Sequence, residues 1–104
     1  MSKYNVITLC GSTKFKDEFM KLQKDLTLKG NIVLNLGIFF KSETNSKIDE
    51  KTMQMLSNMH MQKIDMCDEI FVVNVNGYIG QSTKKEIEYA KKLGKKISYL
   101  EPIK

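Results

Sequence analysis

The stretch Glu69-Ile70-Phe71-Val72-Val73-Asn74-Val75 decides how this chain folds. Ile70–Val73 is continuously apolar and rich in β-branched and aromatic side chains. A half-exposed strand alternates apolar and polar residues, whereas a run apolar on both faces belongs at the centre of a sheet covered from both sides. Working outward, Tyr4–Leu9, Asn31–Leu36 and Lys96–Leu100 are three further short runs of strand character. The segments between them have helical spacing. Phe15–Lys29 carries Phe15, Phe19, Leu22, Leu26 and Leu28 before Gly30. Glu50–Met66 carries Met53, Leu56, His60 and Ile64, with Cys67 continuing the stripe, and Thr83–Leu93 carries Ile87, Ala90 and Leu93 before Gly94. The order β-α-β-α-β-α-β predicts a three-layer, Rossmann/flavodoxin-like α/β fold with a small parallel sheet of four to five strands. Residues 1–104 read as a single domain.

Composition narrows the function classes. Of 104 residues, 41% are hydrophobic and 28% charged, the balance of a globular domain. No run approaches the ~20 apolar residues of a membrane helix. Met1-Ser2-Lys3 leads directly into the first strand, so neither a signal peptide nor a membrane partner is expected. The net charge of +5 rests on 17 lysines against 12 acids, with no arginine at all. Phosphate must therefore meet lysine, hydroxyls or backbone amides rather than a guanidinium fork. The lysines are scattered and no aromatic-interleaved basic stripe appears, so no nucleic-acid partner is expected. Cys10 and Cys67 are too few for a disulfide framework and have no metal-ligand company along the chain. A reduced, cytoplasmic setting fits, and no metal or cofactor is expected. Gly37–Asp49 follows no period and reads as a loop, either a lid or a surface insertion.

Two strand-to-helix turns carry candidate chemistry, because ligands of open parallel sheets bind beyond the carboxyl ends of the strands. The first is Leu9-Cys10-Gly11-Ser12-Thr13-Lys14, where a glycine permits close approach and a helix start favours an anion. It is neither a phosphate-binding P-loop nor a dinucleotide fingerprint. The second runs from Asn74 through Gly77, Tyr78, Gly80 and Ser82 to Glu86. Glu86 falls in the first turn of the last predicted helix, where Thr83-x-x-Glu86 also spells a capping box, and spacing alone favours the cap. A glutamate there becomes a nucleophile if a second group faces it. His60 is the candidate for that group. Helix direction aims it toward the ligand edge, and Asp65 and Asp68 are expected at the helix end and the strand entrance.

Cys10-Gly11-Ser12, Asp68, Gly80 and Glu86-Ile87-Glu88-Tyr89-Ala90, taken together, resemble the nucleoside 2-deoxyribosyltransferase superfamily, and in outline its small nucleoside 5′-monophosphate N-glycoside hydrolases. An uncharacterised branch with Ile-Thr-Leu-Cys-Gly-Ser-Thr and Gly-Tyr-Ile-Gly-x-Ser-Thr signatures is more similar still. The resemblance implies a nucleoside or nucleoside-monophosphate substrate and a covalent glycosyl mechanism. In it Glu86 is the catalytic nucleophile, and Cys10, Gly11, Ser12, Lys14, Asn74, Gly77, Tyr78, Gly80 and Ser82 hold sugar or phosphate. The sequence departs from the pattern at the acidic partner, which falls near His60, and at Thr8, Lys14 and Gly80, which replace a tyrosine, an arginine and a serine. A protonated His60 with a near-neutral pKa is expected to serve as the acid. A non-catalytic nucleotide-binding or sensing module is the alternative. Sites of this superfamily are shared between subunits, so a homodimer or larger homo-oligomer is expected, with methionines of the Met53–Met66 helix as its contact.

Overall fold

The computed structural model describes residues 3–39 and 48–103. Its strands are β1 (Val6–Gly11), β2 (Ile32–Leu34), β3 (Glu69–Val73) and β4 (Lys96–Tyr99); its helices are α1 (Lys16–Leu28), α2 (Glu50–Met66) and α3 (Gln81–Lys92). The four strands form one sheet in the order β2-β1-β3-β4, and every pairing is parallel. This is the flavodoxin-like order, with its switch point between β1 and β3. The apolar run quoted above is indeed a central strand, flanked by β1 and β4.

The pleat sorts side chains into two cores. Cys10 from β1 and Ile70 and Val72 from β3 face Ile64 of α2 and Ile87 and Ala90 of α3. Ile7, Leu9 and Val73 face the other way, onto Phe19 and Leu26 of α1. The chain is therefore three layers, with α1 on one side of the sheet and α2 with α3 on the other. Phe19, Leu9, Ile64, Ile70 and Val72 are wholly buried, each worth about 1.5–3 kcal/mol relative to exposure.

The polar joints differ from expectation in instructive places. Asp68 does bind the strand entrance, accepting from the Val6 N–H at 2.8 Å. Asp65 does not cap α2 but accepts the Tyr89 hydroxyl, tying α2 to α3. Leu28, included in the apolar face of the first helix, stands 76% exposed at its end. The last helix begins two residues earlier than its apolar spacing predicts, because extended Gly80 serves as its N-cap. The Lys84 N–H bonds the Gly80 carbonyl, Thr83 is buried inside the helix, and the capping box at Thr83 is not formed. Glu86 thereby moves to the second turn, with its side chain free for the sheet end. Most of the expected 37–49 loop, residues 40–47, lies outside the described residues.

Candidate active site

Beyond the carboxyl ends of β1 and β3, at the switch point, lies a cavity of about 440 Å³, within the size range of small-molecule sites. Its polar side comes from the two turns, Gly11-Ser12-Thr13 and Gly80-Gln81-Ser82-Thr83, with Ser57 from α2. Its apolar lining comes from Leu36, Ile38, Met53 and Leu56, and Tyr78 lines it too. His60 and Glu86 also line it.

Each element delivers its residue for a local reason. At Gly11 a Cβ would stand 3.0 Å from both the Phe19 ring and the Val73 carbonyl, and φ is +154°, so only glycine lets the chain turn here. Ser12 then caps the short 3₁₀ turn Thr13–Phe15 through the Lys14 N–H. The second turn is pinned from below. Asn74 is buried and its amide bonds both the N–H and the carbonyl of Glu101 at 2.9 Å, while the Asn76 N–H reaches the Glu101 carboxylate at 2.7 Å. Asn76 and Gly77 turn the chain through left-handed conformations, φ +54° and +80°. Gly80 provides no side-chain cap, so α3 begins at the cavity with the positive end of its dipole.

At the cavity floor three functional side chains converge. Cys10 Sγ lies 3.5 Å from His60 Nε2, which lies 3.6 Å from Glu86 Oε1. Glu86 Oε1 is sealed from solvent and has no hydrogen-bond partner. Such an orphaned acceptor is costly in an ordinary structural role. Burial raises the Glu86 carboxyl to about 7, a rise held back in part by the Cys10 thiol. Burial and then the nearby Lys63 ammonium lower His60 to about 4. Burial and then Glu86 raise the Cys10 thiol well above its ordinary value. At neutral pH the site holds a neutral imidazole, a thiol and a carboxyl balanced between its two forms. The expectation of a near-neutral, protonated His60 is therefore corrected: an imidazole removed from water beside a lysine loses its proton early.

Of the residues singled out from sequence, Gly11, Ser12, Tyr78, Gly80, Ser82, His60 and Glu86 meet at one cavity. Cys10 lies beneath it against His60. Asn74 and Gly77 shape the turn rather than lining the cavity. The Lys14 ammonium sits 3.7 Å from the centre of the Tyr78 ring and 5.3 Å from that of Phe15, outside the lining. The sequence reading missed Ser57, Thr83 and the apolar wall. Met53 and Leu56 stand on the same helical stripe as His60, which was the available signal. Cys10, isolated from metal-ligand types along the chain, gains two of them in space: its sulfur, a His60 nitrogen and a Glu86 oxygen all lie within 4.8 Å of one another. Among the described residues no helix is long and apolar enough to cross a membrane.

None of the curated proteins compared with this chain matches it. A family model does, over residues 4–99, which take in every strand, every helix and the whole cavity lining. The chain therefore belongs to the family described as domain of unknown function DUF4406.

Proposed function

We propose that this protein cleaves or transfers the N-glycosidic bond of a small nucleoside or nucleoside monophosphate, with Glu86 as nucleophile. The observation that carries this reading is Glu86: it lines a cavity made of hydroxyl-bearing and apolar residues, and its Oε1 is buried with no hydrogen-bond partner. In the first step Glu86 Oε bonds to C1′ of the sugar as the C1′–N bond breaks, its electron pair leaving with the base, which takes a proton. In the second, water or another base attacks C1′ and frees the carboxylate. Leu36, Ile38, Met53 and Leu56 suit a flat base, while Ser12, Ser82 and the open start of α3 suit sugar hydroxyls or a phosphate. Neutral His60 orients the carboxyl and leaves protonation of the base to the ligand or to water. Incubation with a panel of nucleosides and 5′-monophosphates tests the reading through release of free base, which Glu86→Gln is expected to abolish.

A second reading, a nucleotide-binding or sensing module without turnover, is favoured by one feature: His60, the residue placed to protonate the leaving base, is neutral. Thermal stabilisation by nucleotides without base release over hours selects it. We also propose a homodimer packed through α2, whose Met53, Met55, Met59 and Met66 are 44–61% exposed. Met53 belongs to the cavity wall, so a second copy there would narrow its mouth. A monomer at micromolar concentration would refute that assembly.

A further inference from the structure

We propose that Cys10, His60 and Glu86 form a binding site for one borderline-soft divalent cation, Zn²⁺ foremost. The geometry carries the inference. In tetrahedral Zn²⁺ sites the metal lies about 2.3 Å from sulfur and about 2.0–2.2 Å from nitrogen or oxygen, which sets neighbouring donors roughly 3.3–3.6 Å apart. Here Cys10 Sγ and His60 Nε2 are 3.5 Å apart, and His60 Nε2 and Glu86 Oε1 are 3.6 Å apart. The remaining pair, Cys10 Sγ and a Glu86 oxygen, lies within 4.8 Å.

Three elements supply the donors, β1, α2 and α3, so the fold rather than a mobile loop sets their spacing. The orphaned Glu86 Oε1 gives an independent sign. Its carboxyl is removed from water and, among the described residues, is acted on only by Cys10 and His60, the other two donors of the cluster, so a cation at their centre supplies the partner that Oε1 lacks. A thiolate, an imidazole and one carboxylate select Zn²⁺, Co²⁺ or their neighbours over Mg²⁺ and Ca²⁺, which prefer all-oxygen shells. His60 and Glu86 border the cavity while Cys10 lies below them, so the fourth position faces the cavity, which also gives the ion its entry path. Three protein ligands and one open position is the pattern of a reactive rather than a purely structural Zn²⁺ site.

One consequence rests on the glycosidic reading above. A bound cation takes the carboxylate oxygen that would attack C1′, so Zn²⁺ inhibits base release and a chelator restores it.

The test uses chelator-stripped full-length protein titrated with Zn²⁺ against a chromophoric competitor, and with Co²⁺ followed by absorbance. The expected result is one ion per chain, a thiolate-to-cobalt charge-transfer band in the near ultraviolet, and a raised melting temperature with Zn²⁺ but not Mg²⁺. Cys10→Ser should remove the band. His60→Gln and Glu86→Gln should each weaken binding more than about 10-fold, since even outer-shell losses reach that size. Cys67→Ser should leave binding unchanged. Retention of no ion, equal response to Mg²⁺, or binding indifferent to all three ligand variants would overturn the site. If Cys10→Ser does not fold, the other two variants and the wild-type cobalt spectrum decide the matter. None of these readouts uses turnover, so a Zn²⁺ site in a protein whose metal-free form releases no base would refute the glycosidic reading alone.

Discussion

Nε2 of His60 lies 3.6 Å from Oε1 of Glu86, and burial drives their ionisations in opposite directions. The carboxyl, raised to about 7, gives up its proton after the imidazolium, lowered to about 4. The pair is thus neutral between those values and carries one negative charge above them. At no pH is it a salt bridge. That inversion reserves the negative charge of the site for Glu86 alone.

Base release should therefore rise with pH through a single ionisation near 7, as Glu86 becomes a carboxylate. His60 should add no descending limb in the neutral range, because it is uncharged there. A pH–rate profile from 5 to 9 checks this. A bell with a falling limb near neutrality that His60→Gln removes would show that His60 acts as the acid after all.

Stability carries the same signature. Glu86 has its folded pKa raised from 4.5 to about 7, so its contribution is complete below about 4.5 and is lost as pH rises to about 7. His60 has its folded pKa lowered from 6.5 to about 4, so its contribution is complete above about 6.5 and is lost as pH falls to about 4. Each amounts to roughly 3 kcal/mol. In the wild type the two slopes oppose each other over most of that window. Relative to wild type, Glu86→Gln should lose stability as pH falls from 6.5 to 4.5, and His60→Gln should lose it as pH rises over the same range. Urea unfolding at several pH values measures both slopes, and parallel curves for all three proteins would refute the assignment.

Gly11→Ala should be among the most damaging single-atom insertions in the fold. Its Cβ would meet Phe19 and the Val73 backbone at 3.0 Å, and φ is +154°. A loss of about 2–4 kcal/mol is expected by chemical denaturation.

Gly77 and Gly80 should separate strain from ligand binding. At Gly77 the conformation is left-handed (φ +80°) but nothing lies within 4 Å of an added Cβ. Gly77→Ala should thus cost about 1–2 kcal/mol of stability and leave ligand affinity intact. At Gly80 the backbone is extended, and an added Cβ meets the Tyr78 hydroxyl at 3.3 Å. Gly80→Ala should leave stability within about 1 kcal/mol while shifting Tyr78 at the cavity edge and weakening nucleotide binding. Calorimetric binding with unfolding curves for both variants gives the comparison.

The fold was largely legible because its signals are local. Ile70–Val73 reads as a central strand and is one, and Gly30 and Gly94 follow the ends of their helices. The cavity was half legible. Gly11, Ser12, Gly80 and Ser82 announce turns, and the sheet's topology gathers such turns at one edge. Protonation was not legible, since the His60 pKa depends first on burial, which only tertiary packing sets; Lys63, one turn further along the same helix, adds to it. The nearness of Cys10 to His60 and Glu86 was equally hidden, because residues 50 and 76 positions apart meet only through sheet register and crossover packing. The start of the last helix was misplaced because Thr83-x-x-Glu86 is a sound local signal that Gly80 overrides from outside the pattern.

The most direct measurement is chromatographic detection of free base after wild-type protein and Glu86→Gln are incubated with nucleosides and 5′-monophosphates. The expected result is base released by the wild type from at least one member, and none by a Glu86→Gln protein whose circular dichroism is unchanged. No release from any member by metal-free wild type, or equal release by the two proteins, would mean that Glu86 is not a glycosyl nucleophile.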